Sequence, residues 1–243
     1  MIFRSLLIII SFTIFWQLLI SFFHLPNYIL PPPIVVLITL WQQIALLYHQ
    51  SLPTLFETLI GFICGSVFGI ISALILVYFK AVRLWFLALL LISQALPIFA
   101  IAPLLVIWLG YGIASKIVMI TLMLFFPVTS SFYDGLCQTP TIYLEMAKIA
   151  NASKLRTLCY LQIPAALPSL ASGLRMAAVY APMGAIVGEW VGSSRGLGFI
   201  MLNANARMQI NTMFATLLLI ILLTLLFYFF IDIILKKLIW WKN

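Results

Sequence analysis

Charged residues are scarce in this sequence. Only 7% of its 243 residues are charged, while 65% are hydrophobic; a soluble domain carries about 25% charged residues. So few charges cannot cover the surface of a folded chain in water, which excludes an ordinary soluble domain. We therefore predict an all-α integral membrane protein, with residues 1–243 forming a single transmembrane domain.

Cysteine and histidine are equally rare. Cys64, Cys137 and Cys159 show neither the spacing of metal ligands nor an even-numbered disulfide pattern. His24 and His49 flank apolar segments, and neither forms a pair with a carboxylate at metal-binding spacing. We accordingly predict no metal site, no cofactor and no catalytic residue.

Long apolar runs fill most of the chain. A bilayer core of about 30 Å needs about 20 apolar residues per helix. The runs predict about six spans: Ser5–Phe23, Leu55–Phe79, Leu84–Leu109, Ser115–Phe132, Leu170–Val191 and Thr212–Leu235. One more apolar segment, Ile34–Tyr48, is short and contains two glutamines. It follows Leu30-Pro31-Pro32-Pro33, and we predict a helix lying at the membrane surface.

The net charge of +8 indicates orientation rather than nucleic-acid binding, because Lys and Arg collect on the cytoplasmic side of membrane proteins. With the N-terminus inside, three cations lie outside: Lys116, Arg195 and Arg207. Ten lie inside: Arg4, Lys80, Arg83, Lys148, Lys154, Arg156, Arg175, Lys236, Lys237 and Lys242. Both termini and the loop of about residues 134–169 are therefore predicted to be cytoplasmic.

Glycines and prolines interrupt the predicted spans. Gly61, Gly65 and Gly69 share one helical face and allow a second helix to approach closely, which favours packing within the chain over a subunit contact. Four prolines predict kinks inside spans: Pro97, Pro103, Pro127 and Pro182.

Glu189 is the most unusual residue of the predicted spans. A carboxylate in lipid is costly and usually faces a bundle interior or water. Because Glu189 lies near the outer end of its span, two interpretations remain open: an interfacial or helix–helix hydrogen-bonded carboxylate, or a residue that lines a translocation path. Pro97 and Pro182 join it as candidate path residues, and Glu57 is predicted to be interfacial.

The stretch Glu145–Pro168 is polar between two apolar segments. Thr139-Pro140 predicts a helix start with the threonine hydroxyl as N-cap. The helix carries an apolar stripe formed by Ile142, Met146 and Ala150.

Asn151 predicts a left-handed helix end. Ser153 then predicts the cap of a second helix, Ser153–Leu161, which Ile163-Pro164 ends. On physical grounds, such a hairpin suits a protein partner and anionic lipid headgroups equally.

This loop resembles the EAA motif of ABC-importer permeases: Glu-Ala-Ala, three residues, Gly, nine residues, then Ile-x-Leu-Pro. Glu145, Met146 and Ala147 fill the triplet, and Asn151 falls on the glycine. The end of the motif is filled by Leu161, Ile163 and Pro164. Met146, Asn151 and Ile163 depart from the usual residues, although Asn still permits the left-handed turn.

Four further blocks extend the resemblance to permeases of the nitrate, sulfonate and taurine group, which includes relatives serving thiamine pyrimidine precursors. The blocks are Leu30–Pro33, Ala95–Pro97 through Trp108–Gly112, Gly188–Trp190 and Gly192–Phe199. The resemblance implies a type I importer permease of a bacterial inner membrane, for a small solute of one of these classes.

The resemblance also implies partners. Two permease copies, expected to be identical, line the translocation path. The cytoplasmic loop docks as a coupling helix on an ABC ATPase subunit. An extracytoplasmic binding protein delivers the solute. It implies that Glu145, Ala147 and Asn151 define the docking element, with Met146 and Ile149 as apolar contacts. Changes at Glu145 or Asn151 are expected to uncouple ATP hydrolysis from transport. ATP hydrolysis is expected in the partner, because this chain has no phosphate-binding loop.

Two other functional classes are compatible with a chain of this composition. A stand-alone secondary carrier or channel would favour repeated halves and intramembrane carboxylates, of which only Glu189 is a candidate. A membrane-embedded enzyme would need histidine and carboxylate on facing helices, yet Asp134 and Asp232 lie near helix ends. Both fit the sequence less well than an importer permease.

Overall fold

The computed structural model describes residues 2–95 and 97–240, so the predictions for Leu96 and Lys242 lie outside this range. Its regular elements are helices: α1 (Ile2–Phe23), α2 (Pro33–Gln42), α3 (Ile44–Tyr78), α4 (Lys80–Ala95), α5 (Ile98–Leu109), α6 (Ile113–Cys137), α7 (Thr141–Ile149), α8 (Lys154–Thr157), α9 (Ile163–Gly192), α10 (Leu197–Ala206) and α11 (Ile210–Leu238). A π-helical turn, Leu158–Gln162, joins α8 to α9. The predicted all-α class is confirmed.

Four helical stretches within the described ranges are long and apolar enough to cross a membrane: Ile44–Tyr78, Ile113–Cys137, Lys154–Gly192 and Ile210–Leu238. They contain four of the predicted spans, while α1 covers the first and α4 and α5 share the third. Large apolar side chains such as Leu226, Phe229 and Phe230 of α11 are exposed, as expected of a surface that faces lipid. The chain is a multi-pass membrane protein.

The predicted third span is wrong as one continuous helix. Helix α4 ends at Ala95 and α5 begins at Ile98, with Pro97 between them in an extended conformation (ψ 117°). Proline lacks an N–H and clashes with the preceding turn, so Pro97 begins a helix here instead of kinking one. The other three prolines lie inside helices, as predicted: Pro103, Pro127 and Pro182.

The predicted surface helix Ile34–Tyr48 is also divided. Helix α2 ends at Gln42, and the residues from Ile44 onward begin α3, which is 35 residues long. The chain bends at Gln43, which has φ −102° and ψ 13°, yet the Gln43 N–H still donates to the Thr39 carbonyl at 3.0 Å. No glycine or proline marks this bend in the sequence.

Helices α3, α6 and α9 form the packed centre. Gly61, Gly65 and Gly69 lie on the face of α3 that meets α6, where a Cβ built on any of them would come within 2.8 Å of an α6 side chain. Small residues therefore bring these two helices together. Helix α9 contributes four fully buried alanines to the same core: Ala177, Ala178, Ala181 and Ala185.

Candidate functional site

Helix α7 is a short amphipathic helix outside the membrane-spanning bundle. Ile142, Met146 and Ile149 are exposed, and Ile149 is exposed to 85%. On the opposite side, Ala147 is only 6% exposed. The helix therefore presents apolar side chains to its surroundings while its other face rests on the protein. Glu145 is exposed beside Met146.

A Schellman motif ends α7. Asn151 has φ 48°, which confirms the predicted left-handed conformation. Its N–H donates to the Lys148 carbonyl at 3.0 Å, and the Ala152 N–H donates to the Ala147 carbonyl at 2.9 Å. These two bonds are the pair that defines the motif, so the departure from glycine preserves the turn.

The two predicted caps of the loop have different outcomes. Thr139 does not cap α7: its hydroxyl donates to the Leu136 carbonyl at 3.0 Å and so closes the end of α6. Pro140 occupies the N-cap position of α7 without a side-chain hydrogen bond. Ser153 is confirmed as a cap, because its hydroxyl oxygen accepts the Arg156 N–H at 3.3 Å.

The second helix of the loop does not end at Ile163-Pro164 as predicted. Helical structure continues from Lys154 to Gly192, and Ile163 has helical angles of φ −60° and ψ −53°. The π turn lies directly before Pro164, and its wider backbone accommodates the missing N–H and the proline ring. Helix α7 is thus connected through one helical run to the membrane-spanning α9.

Lys154 ties this loop to the end of α3. Its ammonium donates a hydrogen bond to the Tyr78 carbonyl and lies 4.5 Å from the centroid of the Tyr78 ring. Tyr78 is the last residue of α3, where the final carbonyls lack intrahelical partners and a cation is favourable. No sequence pattern predicts this long-range contact.

At the far end of α9, Glu189 is fully buried. The Thr54 hydroxyl donates to its Oε1 at 2.6 Å, and the Gly198 N–H donates to its Oε2 at 2.6 Å. One carboxylate therefore joins α3, α9 and the start of α10.

The glycine-rich turn before α10 is built around this carboxylate. Gly196 has φ 106°, and a Cβ there would occupy the position of the Glu189 carboxylate. The Gly196 N–H donates to Gln50 Oε1 at 2.7 Å, and the Leu197 N–H donates to Thr54 Oγ1 at 2.9 Å. Only glycine meets both the conformational and the steric demand at position 196. Sequence reasoning missed Gln50 and Thr54.

A buried ion pair lies near this turn. Lys116 Nζ is 2.5 Å from Glu57 Oε1 and donates to Ser193 Oγ at 2.8 Å. The lysine and glutamate side chains are 8% and 3% exposed, so the expectation of an interfacial Glu57 is wrong. The sequence did contain a signal: two opposite charges stood at the outer ends of two predicted spans.

A cavity of about 330 Å³ opens between α4, α5, α6 and α9. Its wall is mostly apolar and includes Met119, Met123, Met176, Phe126 and Tyr180. None of the described residues around it is charged. Within the same described ranges, no cluster of three or more histidine, cysteine or acidic residues is suited to a metal ion.

The three predicted path residues lie elsewhere than in the described wall of this cavity. Glu189 lies where α3, α9 and α10 meet, Pro182 is buried within α9, and Pro97 is exposed just before α5. Their place on a translocation path therefore stays a prediction.

Comparison with known proteins identifies the family. Residues 65–240 match the family described as binding-protein-dependent transport system inner membrane component. A probable ABC transporter permease protein of Haemophilus influenzae is 50% identical over 215 residues, which cover 88% of each chain. A formylaminopyrimidine transport permease protein of Halalkalibacterium halodurans is 38% identical over 173 residues, covering 71% of this chain and 69% of that protein.

A solved structure has the same fold. A chain of the MetNI methionine ABC transporter, in an inward-facing crystal form, gives a TM-score of 0.70 at 20% identity. The match covers 81% of this chain and 97% of that one. Sequence, relatives and fold agree: the chain belongs to the family of binding-protein-dependent transport system inner membrane components and is the permease of an ABC importer.

Proposed function

We propose that α7 is the coupling helix through which this permease engages a separate ATP-hydrolysing subunit. The exposed apolar face formed by Ile142, Met146 and Ile149 is the observation that carries the proposal. A short rigid helix with such a face suits a groove in a protein partner. Glu145 lies beside this face, where it provides a charge for recognition.

The rest of the loop is suited to transmitting motion. Asn151 fixes the end of α7, and the buried Ala147 lets the helix sit close to the bundle. The helical run through Ile163 and Pro164 then leads directly into α9. Displacement of α7 by a closing ATPase would therefore move a membrane-spanning helix rather than a loose linker.

The complete importer is proposed to contain a second copy of this permease, an extracytoplasmic binding protein and a pair of ATPase subunits in a bacterial inner membrane. The distribution of Lys and Arg supports cytoplasmic termini and a cytoplasmic α7. The Met-lined cavity between α4, α5, α6 and α9 is the proposed wall of the path, with Glu189, Pro97 and Pro182 as further path candidates.

The proposed cargo is a small solute such as a thiamine pyrimidine precursor, or a sulfonate, nitrate or taurine-like compound. The relative at 38% identity is named for formylaminopyrimidine transport. An apolar cavity wall without charged residues among those described favours the uncharged heterocycle over an anion, because burying an unpaired anion is costly.

Co-purification of the ATPase tests the coupling proposal. The permease is co-expressed with the ATPase and recovered from detergent, as wild type and as Ile149→Asp. Ile149 is 85% exposed, so the change leaves the fold intact while placing a charge in the apolar contact. Recovery of the ATPase is expected to fall about tenfold, the effect of losing one buried apolar contact and desolvating a charge.

Met208→Asp is the matched control. Met208 is an exposed methionine on the α10–α11 connection, at the end of the bundle opposite α7 in the predicted topology. Its conformation (φ 57°) is one that Asp tolerates. This variant should recover the ATPase like wild type. Equal recovery with Ile149→Asp and wild type would remove α7 as the docking element.

A further inference from the structure

We propose that the groove between α7 and the end of α3 binds the phosphate headgroup of an anionic phospholipid. The groove encloses about 430 Å³, and its wall includes Tyr78, Ala147, Lys148, Lys154 and Leu158. It lies on the Ala147 side of α7, away from the exposed apolar face. This inference does not depend on the proposed ATPase contact.

The charge of the groove selects an anion. Lys148 and Lys154 both line it, and none of its described lining residues is acidic. The Lys154 ammonium uses one N–H on the Tyr78 carbonyl, which leaves the others for a ligand. The Lys148 side chain is exposed, so its ammonium is accessible to a ligand. Two lysines that line one groove suit a phosphate.

The remaining wall favours a lipid over a free phosphate. Val77, Leu144 and Leu158 give the groove an apolar side. Tyr78 is the last residue of the apolar helix α3, and tyrosines are enriched where such helices leave the hydrocarbon for the headgroups. A phospholipid matches both features, because its phosphate meets the lysines while its first acyl carbons meet the apolar wall.

The position of the groove gives the lipid a role. A headgroup bound there would lie between α7 and the bundle without covering Ile142, Met146 or Ile149. It would hold α7 against the end of α3 from behind, supplementing the contact between Lys154 and Tyr78.

Native mass spectrometry of the purified permease tests the proposal, with phosphatidylglycerol and phosphatidylcholine of the same acyl chains as probes. Wild type should retain phosphatidylglycerol about tenfold more tightly than phosphatidylcholine, and Lys148→Gln/Lys154→Gln should lose this preference. Lys148→Gln alone should reduce the preference from about tenfold to about threefold. This single variant is informative even if the double variant folds poorly, because the Lys148 side chain is exposed.

Lys237→Gln is the matched control, since Lys237 is an exposed lysine in the last turn of α11, on the same predicted side of the membrane. It should keep the wild-type preference. The proposal is overturned if Lys237→Gln lowers the preference as much as Lys148→Gln, or if no variant lowers it. Thermal stabilisation by inorganic phosphate equal to that by phosphatidylglycerol would overturn the lipid assignment in favour of a soluble phosphate.

Discussion

Glu189→Ala is expected to lower the free energy of unfolding by about 3–5 kcal/mol, among the largest effects of any single substitution in this chain. The carboxylate is fully buried and accepts hydrogen bonds from the Thr54 hydroxyl and the Gly198 N–H. Its removal leaves the Gly198 N–H without its acceptor and the Thr54 hydroxyl with only a long contact to the Gln50 carbonyl at 3.4 Å, and it opens a cavity. Thermal unfolding in detergent, followed by the fluorescence of the seven tryptophans, should show a midpoint lower by on the order of 10 °C.

A double-mutant cycle with Gly196 tests the physical reason. Gly196→Ala should be destabilising because the Glu189 carboxylate occupies the position of the added methyl group. In the Glu189→Ala background that clash is gone, so the double variant should lose less than the sum of the two single losses. Gly110→Ala is the matched control: Gly110 also has a positive φ, 82°, but nothing lies within 4 Å of its added Cβ. The stability lost in Gly110→Ala therefore measures the cost of the backbone conformation alone.

The same variants address the path prediction for Glu189. Additive losses in the cycle would show that the carboxylate does not support the turn. Glu189→Gln keeps an oxygen acceptor and the side-chain volume, so its stability should lie between those of wild type and Glu189→Ala. If Glu189→Gln unfolds like wild type but transport is lost, the charge serves the path; if stability and transport fall together, Glu189 serves the junction.

The α7 loop shows how far local sequence rules reach. The left-handed Asn151 and the Ser153 cap were predictable, because each depends on a residue and its immediate neighbours. The prediction of a Thr139 cap was wrong because its hydroxyl donates to the preceding Leu136 carbonyl and not to the helix that follows. The prediction that the helix ends at Pro164 was wrong for a similar reason, because a π turn precedes this proline and the helix continues through it. In both places the predicted and the observed conformations depend on neighbouring residues alone, and the sequence does not show which of the two is more stable.

The spans show a second limit. Composition predicted where apolar helices lie, because burial in lipid requires long apolar runs. It did not predict the break at Pro97, because a proline is as compatible with a kinked helix as with the start of a new one. It did not predict the bend at Gln43, because no glycine or proline marks that position. The glycine spacing in α3 predicted a close helix neighbour but could not name α6. Identifying a partner requires the arrangement of the whole bundle.

The polar contacts of Glu189 and Glu57 are hard to predict from the sequence for a geometric reason. Thr54 and Glu189 are 135 residues apart, and Glu57 and Lys116 are 59 apart. Each residue alone fits an interfacial position at a helix end. A buried charge requires a partner, but only a search for opposite charges at the same membrane depth would have proposed the pair of Glu57 and Lys116.

Lys116→Met is expected to destabilise the protein by about 3–5 kcal/mol, since it leaves the buried Glu57 carboxylate without a counter-charge. Glu57→Leu should destabilise the protein by a similar amount, because it leaves the buried Lys116 ammonium without a counter-charge. The double variant should recover most of the loss, as two apolar side chains fill the space without any charge to desolvate. Midpoints of thermal unfolding in detergent for the three variants provide the test.

One detail of the pair strengthens this expectation. Glu57 Oε2 is buried and has no hydrogen-bond partner among the described residues, so the desolvation of the carboxylate is incompletely offset. A double variant as unstable as the sum of the single variants would show that the two charges act independently. A double variant that folds like wild type and fails in transport would instead point to a role of the charges in transport. The ion pair, which joins α3 to the first turn of α6 and contacts Ser193, would then serve the conformational cycle rather than the fold.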